Sequence, residues 1–225
     1  MWCDELPLDK RWISLISDYV SCGCGGIRTL LAKCPACGSD PYDLTPVEFE
    51  DLHGERHRVP RAFAGAEGRY EDWELLALME REWKRPRPTD ATTANLDGKM
   101  SYRATLVILY WTYFESRMNR LISIGLRSLP IRVQKDLSAR YSGVGYHMRE
   151  LYGILFGVKY RDDLLAIGAD SIDGHLARVQ KARNEFVHGF PSALSDGLVE
   201  AVVRYMKDEH EAWIGVYNRR IAAAF

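Results

Sequence analysis

The sequence predicts a mostly α-helical protein, a four-helix bundle preceded by a small cysteine-bearing segment, and three observations carry that expectation. From Ser101 onward the apolar residues recur at helical spacing, with no convincing strand. Four of the five cysteines crowd into one glycine-rich window, "CGCGGIRTLLAKCPACG". Between these regions "RYEDWELLALMEREWKR" reads as one amphipathic helix, with Gly68 before it and Pro86 and Pro88 after it. The implied division is residues 1–45 for the cysteine segment, 46–95 for a linker with one helix, and 96–225 for the bundle. A chain of 225 residues that is 47% hydrophobic has ample material for a packed core.

In the first segment Cys22, Cys24, Cys34 and Cys37 form two close pairs nine residues apart. One hairpin could then gather four thiolates around a tetrahedral Zn²⁺, and a glycine after each pair lets backbone amides turn toward sulfur. Reduced cysteines in a small core and a redox pair are the alternatives, but so short a segment has little core without a metal. The stretch resembles a zinc ribbon, with Cys-Pro-Ala-Cys-Gly as one knuckle. Cys22-Gly-Cys24 is one residue shorter than the usual pair, and Cys3 is an alternative ligand. Four thiolates leave no open coordination position, so the expected role of zinc is structural.

In the linker, Trp73, Leu76, Ala77 and Trp83 supply the apolar face of the single helix. His53 and His57 are four apart but separated by Gly54, and are read as solvated loop residues rather than as a metal pair.

The bundle opens with a helix over about 102–129, in which Leu106, Leu109, Tyr110, Tyr113, Phe114, Met118 and Leu121 share a face. Val107, Ile108 and Trp111 extend its apolar character to other sides, so several partners should cover it. Pro130 ends it, and helical stretches over 131–141 and 146–156 follow, separated by "SGVG". Long helices over 172–188 and 194–224 complete the bundle, the last with Leu198, Val202, Tyr205, Trp213 and Val216 as its stripe. His147 and His175 are read as solvated or capping residues, and Arg161, Asp162 and Asp163 as a charged helix start.

The segment "KARNEFVHGFP" raises the functional question. At about 100° per residue, Leu176, Val179, Phe186 and Val187 fall within about 60° of Ile172, and Arg183 falls among them at about 20°. A guanidinium on an oily face needs an acidic partner, a wet cleft or an anionic ligand, and Glu115 on the first bundle helix is the best partner. Asn184 and His188 are four apart and share a face, and Gly189 and Pro191 end the helix just beyond them. Separately, each has a bland reading: a salt-bridge arginine, a surface amide, a histidine complementing the helix dipole. Together they have the geometry of a site.

"RNEFVHG" resembles the arginine, polar residue, three further residues, histidine signature of the HEPN superfamily, small helical-bundle domains many of which are metal-independent ribonucleases. "YFESRMNRLI" resembles the acid-bearing first helix of families near the one named RiboL-PSP-HEPN. The resemblance covers about residues 96–225 and leaves the cysteine segment aside. It implies motif roles for Arg183, Asn184 and His188 and a homodimer whose two signature turns share a cleft, which the broad apolar first helix also suits. It further implies cleavage of RNA by its own 2′-hydroxyl, with no metal in catalysis. Imidazole suits that work because its ordinary pKa of about 6.5 lets it take and return a proton near neutrality. In some toxin members a tyrosine two residues after the histidine is modified by a partner enzyme; here that position is Phe190, which closes that route of silencing.

The expected function is therefore a metal-independent endoribonuclease with His188 as acid and base and Arg183 on the phosphate, serving as a toxin or antiviral defence effector. A toxin would add a neutralising or regulatory protein to its partners. The alternatives are a non-catalytic module of the same kind that binds RNA or nucleotide, and a zinc-ribbon interaction protein whose helical domain dimerises. Charge permits RNA without demanding it: residues 1–95 hold 12 Lys and Arg against 17 acids, residues 96–225 hold 18 against 14. The longest oily run, 104–114, is too short to cross a bilayer, and the N-terminus carries acids where a signal peptide needs bases, so a cytoplasmic location is expected.

Overall fold

The computed structural model describes residues 20–21, 27–28, 33–34, 36–39, 45–50, 56–60, 70–87 and 100–221. Two small antiparallel hairpins come first. In one, β1 (Val20–Ser21) pairs with β2 (Ile27–Arg28). In the other, β3 (Pro46–Glu50) pairs with β4 (Arg56–Pro60), placing Glu48 opposite Arg58 and Phe49 opposite His57. The expected linker thus contains a strand pair, and His57 stands in β4 rather than in a loop; His53 lies outside the described residues. Opposite charges across the ladder and alternation over Val47 to Glu50 support this pairing, a five-residue signal easily passed over beside helical patterns.

Among the described residues the remaining regular elements are helical. They are α1 (Tyr70–Trp83), α2 (Ala104–Leu126), α3 (Ile131–Arg140), α4 (Val144–Tyr146), α5 (Tyr152–Phe156), α6 (Tyr160–Ala166), α7 (Asp170–Val187) and α8 (Asp196–Arg220). A π-helical turn, His147–Leu151, joins α4 to α5. The molecule is mostly α, as the periodicity predicts. Among the described residues no helix is long and apolar enough to cross a membrane.

The core forms where α2, α7 and α8 meet one another, with the rod of α4, the π-turn and α5 packed on α2. Leu106, Val107, Tyr110, Trp111, Tyr113 and Phe114 of α2 are all buried. Leu76 and Met79 of α1 join the same cluster, and α1 packs along α2. The helix expected in a linker is therefore part of the bundle's core, and Ala77, expected on its apolar face, is exposed. α1 also removes one argument for a dimer, because the breadth of α2 is covered from within the chain.

A charged group does sit in this core, on α2 rather than on α7. Arg117 is 1% exposed and pairs with the buried carboxylate of Glu209 on α8. Its Nη1 lies 3.3 Å from His210 Nδ1, which also lies 3.1 Å from the Tyr113 hydroxyl. Because a guanidinium only donates, Nδ1 accepts and His210 is the neutral tautomer protonated on Nε2. Burial, then Arg117, lowers its pKa well below the ordinary value, in agreement. Burial raises that of Glu209 against the opposing pull of Arg117. A second buried carboxylate, Asp163 of α6, accepts from the Tyr152 hydroxyl and from Arg220 at 2.5 Å through both Nε and Nη2, tying α6 to α8.

Candidate functional site

Helix α7 carries the site and fixes its direction. Its buried residues are Ile172, His175, Leu176, Val179 and Ala182. At about 100° per residue this face is centred near Val179, about 20° from Ile172 toward His175 and Ala182; Arg183 still points within its arc, but one turn from the helix end it is only half-buried. Val187, expected in the stripe, is 60% exposed. The sequence pattern leaves His175 out of the stripe because it counts it as polar, whereas His175 is 0% exposed. The imidazole stacks on Tyr205 at 4.6 Å and 23°, with Tyr110 at 5.6 Å. Burial, followed by the charge of Arg178, lowers its pKa to about 4.

The end of α7 is closed by backbone geometry. Gly189 has φ 92°, its N–H donates to Phe186 O at 3.0 Å, and the Phe190 N–H donates to Glu185 O at 3.0 Å. These two bonds make a Schellman closure, which needs a left-handed residue and so glycine at 189. His188 caps the helix, its N–H donating to Asn184 O at 3.0 Å, and its side chain is exposed beside that of Asn184.

Asn184 and His188 line one open groove of about 630 Å³, together with Gln180, Lys181, Glu185 and Phe190. Arg149, from the π-turn, supplies the facing wall. Lys181 lies 3.8 Å from Glu185, which offsets its charge, whereas Arg149 makes no ion pair among the described residues. Its Nε donates to the Gly145 carbonyl at 3.1 Å. A side chain on Gly145 of α4 would place Cβ 2.8 Å from Gln180 Nε2, the movable end of a flexible side chain, so α4 and α7 come close here.

Of the expected trio, two members line the groove and the third stands behind it. Arg183 Nη1 donates to Asn184 Oδ1 at 3.2 Å and is not part of the groove wall. The expected pairing of Arg183 with Glu115 is not formed; Glu115 instead lies close enough to act on His147. His147 is half-buried in the π-turn rather than solvated, its Nδ1 without a hydrogen-bond partner among the described residues. Burial lowers its pKa, opposed by a hydrogen bond that the ring donates to the Tyr141 carbonyl and by Glu115. Lys181 and Gln180 also line the groove, and helical spacing puts both on the Asn184 and His188 face one and two turns upstream. Arg149 left no such signal, since only the fold brings it to α7.

At the other end of the chain, two of the four proposed zinc ligands are described. Cys34 is buried and Cys37 is exposed, on a turn closed by Gly38 N–H to Cys34 O at 2.7 Å and Cys34 N–H to Ser39 O at 3.0 Å. Gly38 has φ 72°, a left-handed position. Two thiol-bearing residues on a tight glycine turn fit half of a tetrahedral thiolate set. Cys22 and Cys24, and the alternative Cys3, lie outside the described residues. Among the described residues no group of three or more His, Cys, Asp or Glu could hold a metal ion.

The chain was compared with family models, curated proteins and solved structures, and none of them matches it.

Proposed function

We propose that this protein is a metal-independent endoribonuclease of the HEPN kind, acting as a toxin or antiviral effector. The observation that carries the reading is the groove in which His188 and Asn184 stand side by side facing Arg149. An exposed imidazole can exchange protons with a substrate, and an exposed guanidinium can hold a phosphodiester.

In the proposed reaction a histidine at the site takes the proton of the ribose 2′-hydroxyl while that oxygen bonds to phosphorus. The bond from phosphorus to the 5′-oxygen breaks, and the leaving oxygen receives a proton from a second acid. The products are a 2′,3′-cyclic phosphate and a 5′-hydroxyl. In the dimer that the family resemblance implies, the second acid is His188 of the other copy. Arg149 joins the assigned residues as a phosphate ligand, while Arg183 orients Asn184 through their hydrogen bond and, across a dimer cleft, stabilises charge on the phosphate. The cysteine segment is proposed as a structural zinc ribbon that contacts RNA or a regulator.

Incubating purified protein with total RNA, with and without chelator, tests this directly. Cleavage that survives chelator and disappears in His188→Ala supports it, with the circular dichroism spectrum unchanged because His188 is exposed. A His188→Ala protein that cleaves at the wild-type rate rejects the assignment. RNA binding without products in wild type would instead favour the non-catalytic binding module.

A further inference from the structure

Phe190 has no role in the proton transfers above, yet it is the most conspicuous apolar surface beside them. In a Schellman closure the residue two past the cap is usually apolar and packs back on the third residue from the helix end. Here that third residue is Glu185, and the Phe190 ring is left 63% exposed in the groove wall next to His188. On the facing wall Arg149 is held by the Gly145 carbonyl, and its guanidinium carbon lies 5.8 Å from the ring centre of Tyr146, which is itself 53% exposed. The groove is therefore lined by an exposed phenyl ring two residues from the histidine and by a cation that makes no ion pair among the described residues.

A flat apolar ring beside a fixed cation matches one repeat of a single-stranded nucleic acid, a base with its phosphate. A base inside a duplex has both faces covered by its neighbours and cannot use the ring. We propose, resting on the ribonuclease reading, that the groove selects unpaired RNA by stacking one nucleobase on Phe190 while Arg149 holds an adjacent phosphate. Stacking tolerates any base, so the selection is for strandedness rather than for sequence.

The test uses the full chain and a fluorescein-labelled 12-mer of 2′-O-methyl RNA, which lacks the nucleophilic hydroxyl, as a single strand and annealed to its complement. Fluorescence anisotropy should show tighter binding of the single strand. Phe190→Ala should weaken that binding by about 10- to 100-fold with little change for the duplex, and Phe190→Trp should restore it. Phe190→Leu should behave as the alanine variant, since it keeps apolar bulk but loses the plane. Arg149→Ala should weaken single-strand binding and reduce the slope of log affinity against log salt by about one. Equal binding of both forms by wild type, or wild-type affinity in Phe190→Ala or Phe190→Leu, overturns the stacking proposal. Cleavage of total RNA by wild type, scored in parallel, reports on the nuclease reading by itself. Loss of that cleavage in His188→Ala together with unchanged single-strand affinity in Phe190→Ala would reject stacking and leave the nuclease standing.

Discussion

At the scale of single residues, the histidines of this chain divide by burial into different kinds of group. His188 is exposed at a helix end, where it can meet a substrate, whereas His175 is sealed between Tyr110 and Tyr205 with neither ring nitrogen hydrogen-bonded among the described residues. A folded-state pKa of about 4 against an ordinary 6.5 means that the unfolded chain takes up this proton first as the pH falls. The contribution of His175 is whole above pH 6.5, is lost between about pH 6.5 and 4, and then levels off. The loss is on the order of 3 kcal/mol. Burial depresses His147 and His210 as well, which adds to the acid sensitivity, while Glu209, raised by burial, works in the opposite sense and stabilises at low pH. The comparison with His175→Phe therefore isolates the effect: urea midpoints at pH 7.5 and 5.0 should separate clearly for wild type and much less for the variant. Equal separations would mean that His175 is not the group titrating. Arg183 invites a different conclusion from the one its place in the pattern suggests. Half-buried, it bonds to Asn184 alone among the described residues and stands beside the groove rather than in the core; the buried guanidinium is that of Arg117.

At the scale of elements, the end of α7 shows how one local conformation serves both fold and site. Gly189→Ala puts a side chain at φ 92° and should cost about 1 kcal/mol. Nothing lies within 4 Å of the added Cβ, so the cost is conformational rather than steric. Because the closure aims His188 and Phe190 at the groove, cleavage should fall more than stability does. Thermal unfolding and cleavage rate measured on the same preparation check this, and full activity would show that the closure does not position the site. The helices were legible because α2, α7 and α8 carry long apolar stripes, and the Gly189 stop was legible because glycine after a periodic run has few other uses. Less could be read where the signal was short or depended on another element. The β3–β4 ladder rests on five residues a side, and Arg149 reaches the groove only because a π-turn brings it against α7.

On the scale of the whole molecule, the bundle is larger than its strongest periodicity implied. α1 belongs to the core, since Leu76 and Met79 are 1% and 0% exposed within the same cluster as α2. Met79→Ala should therefore destabilise the whole domain by about 2–5 kcal/mol in a single cooperative transition. An early separate transition in denaturant would instead show α1 to be an appendage. The prolines after α1 suggested a boundary, yet proline ends a helix without saying where that helix packs. The amphipathic stripe of α1 was visible in the sequence; its partner was not, because a stripe specifies that something must cover it and not what does. The same holds for the site: Asn184 and His188 could be read from helical spacing, but the wall opposite them is a property of the folded chain.

The central claim is that this groove breaks RNA by transferring protons through His188. The most direct measurement is the chemistry of the ends left after chelator-treated protein acts on a defined RNA. The account predicts 2′,3′-cyclic phosphate and 5′-hydroxyl ends from wild type and none from His188→Ala. Ends bearing a 5′-phosphate and a 3′-hydroxyl, or the cyclic ends undiminished in His188→Ala, would contradict it.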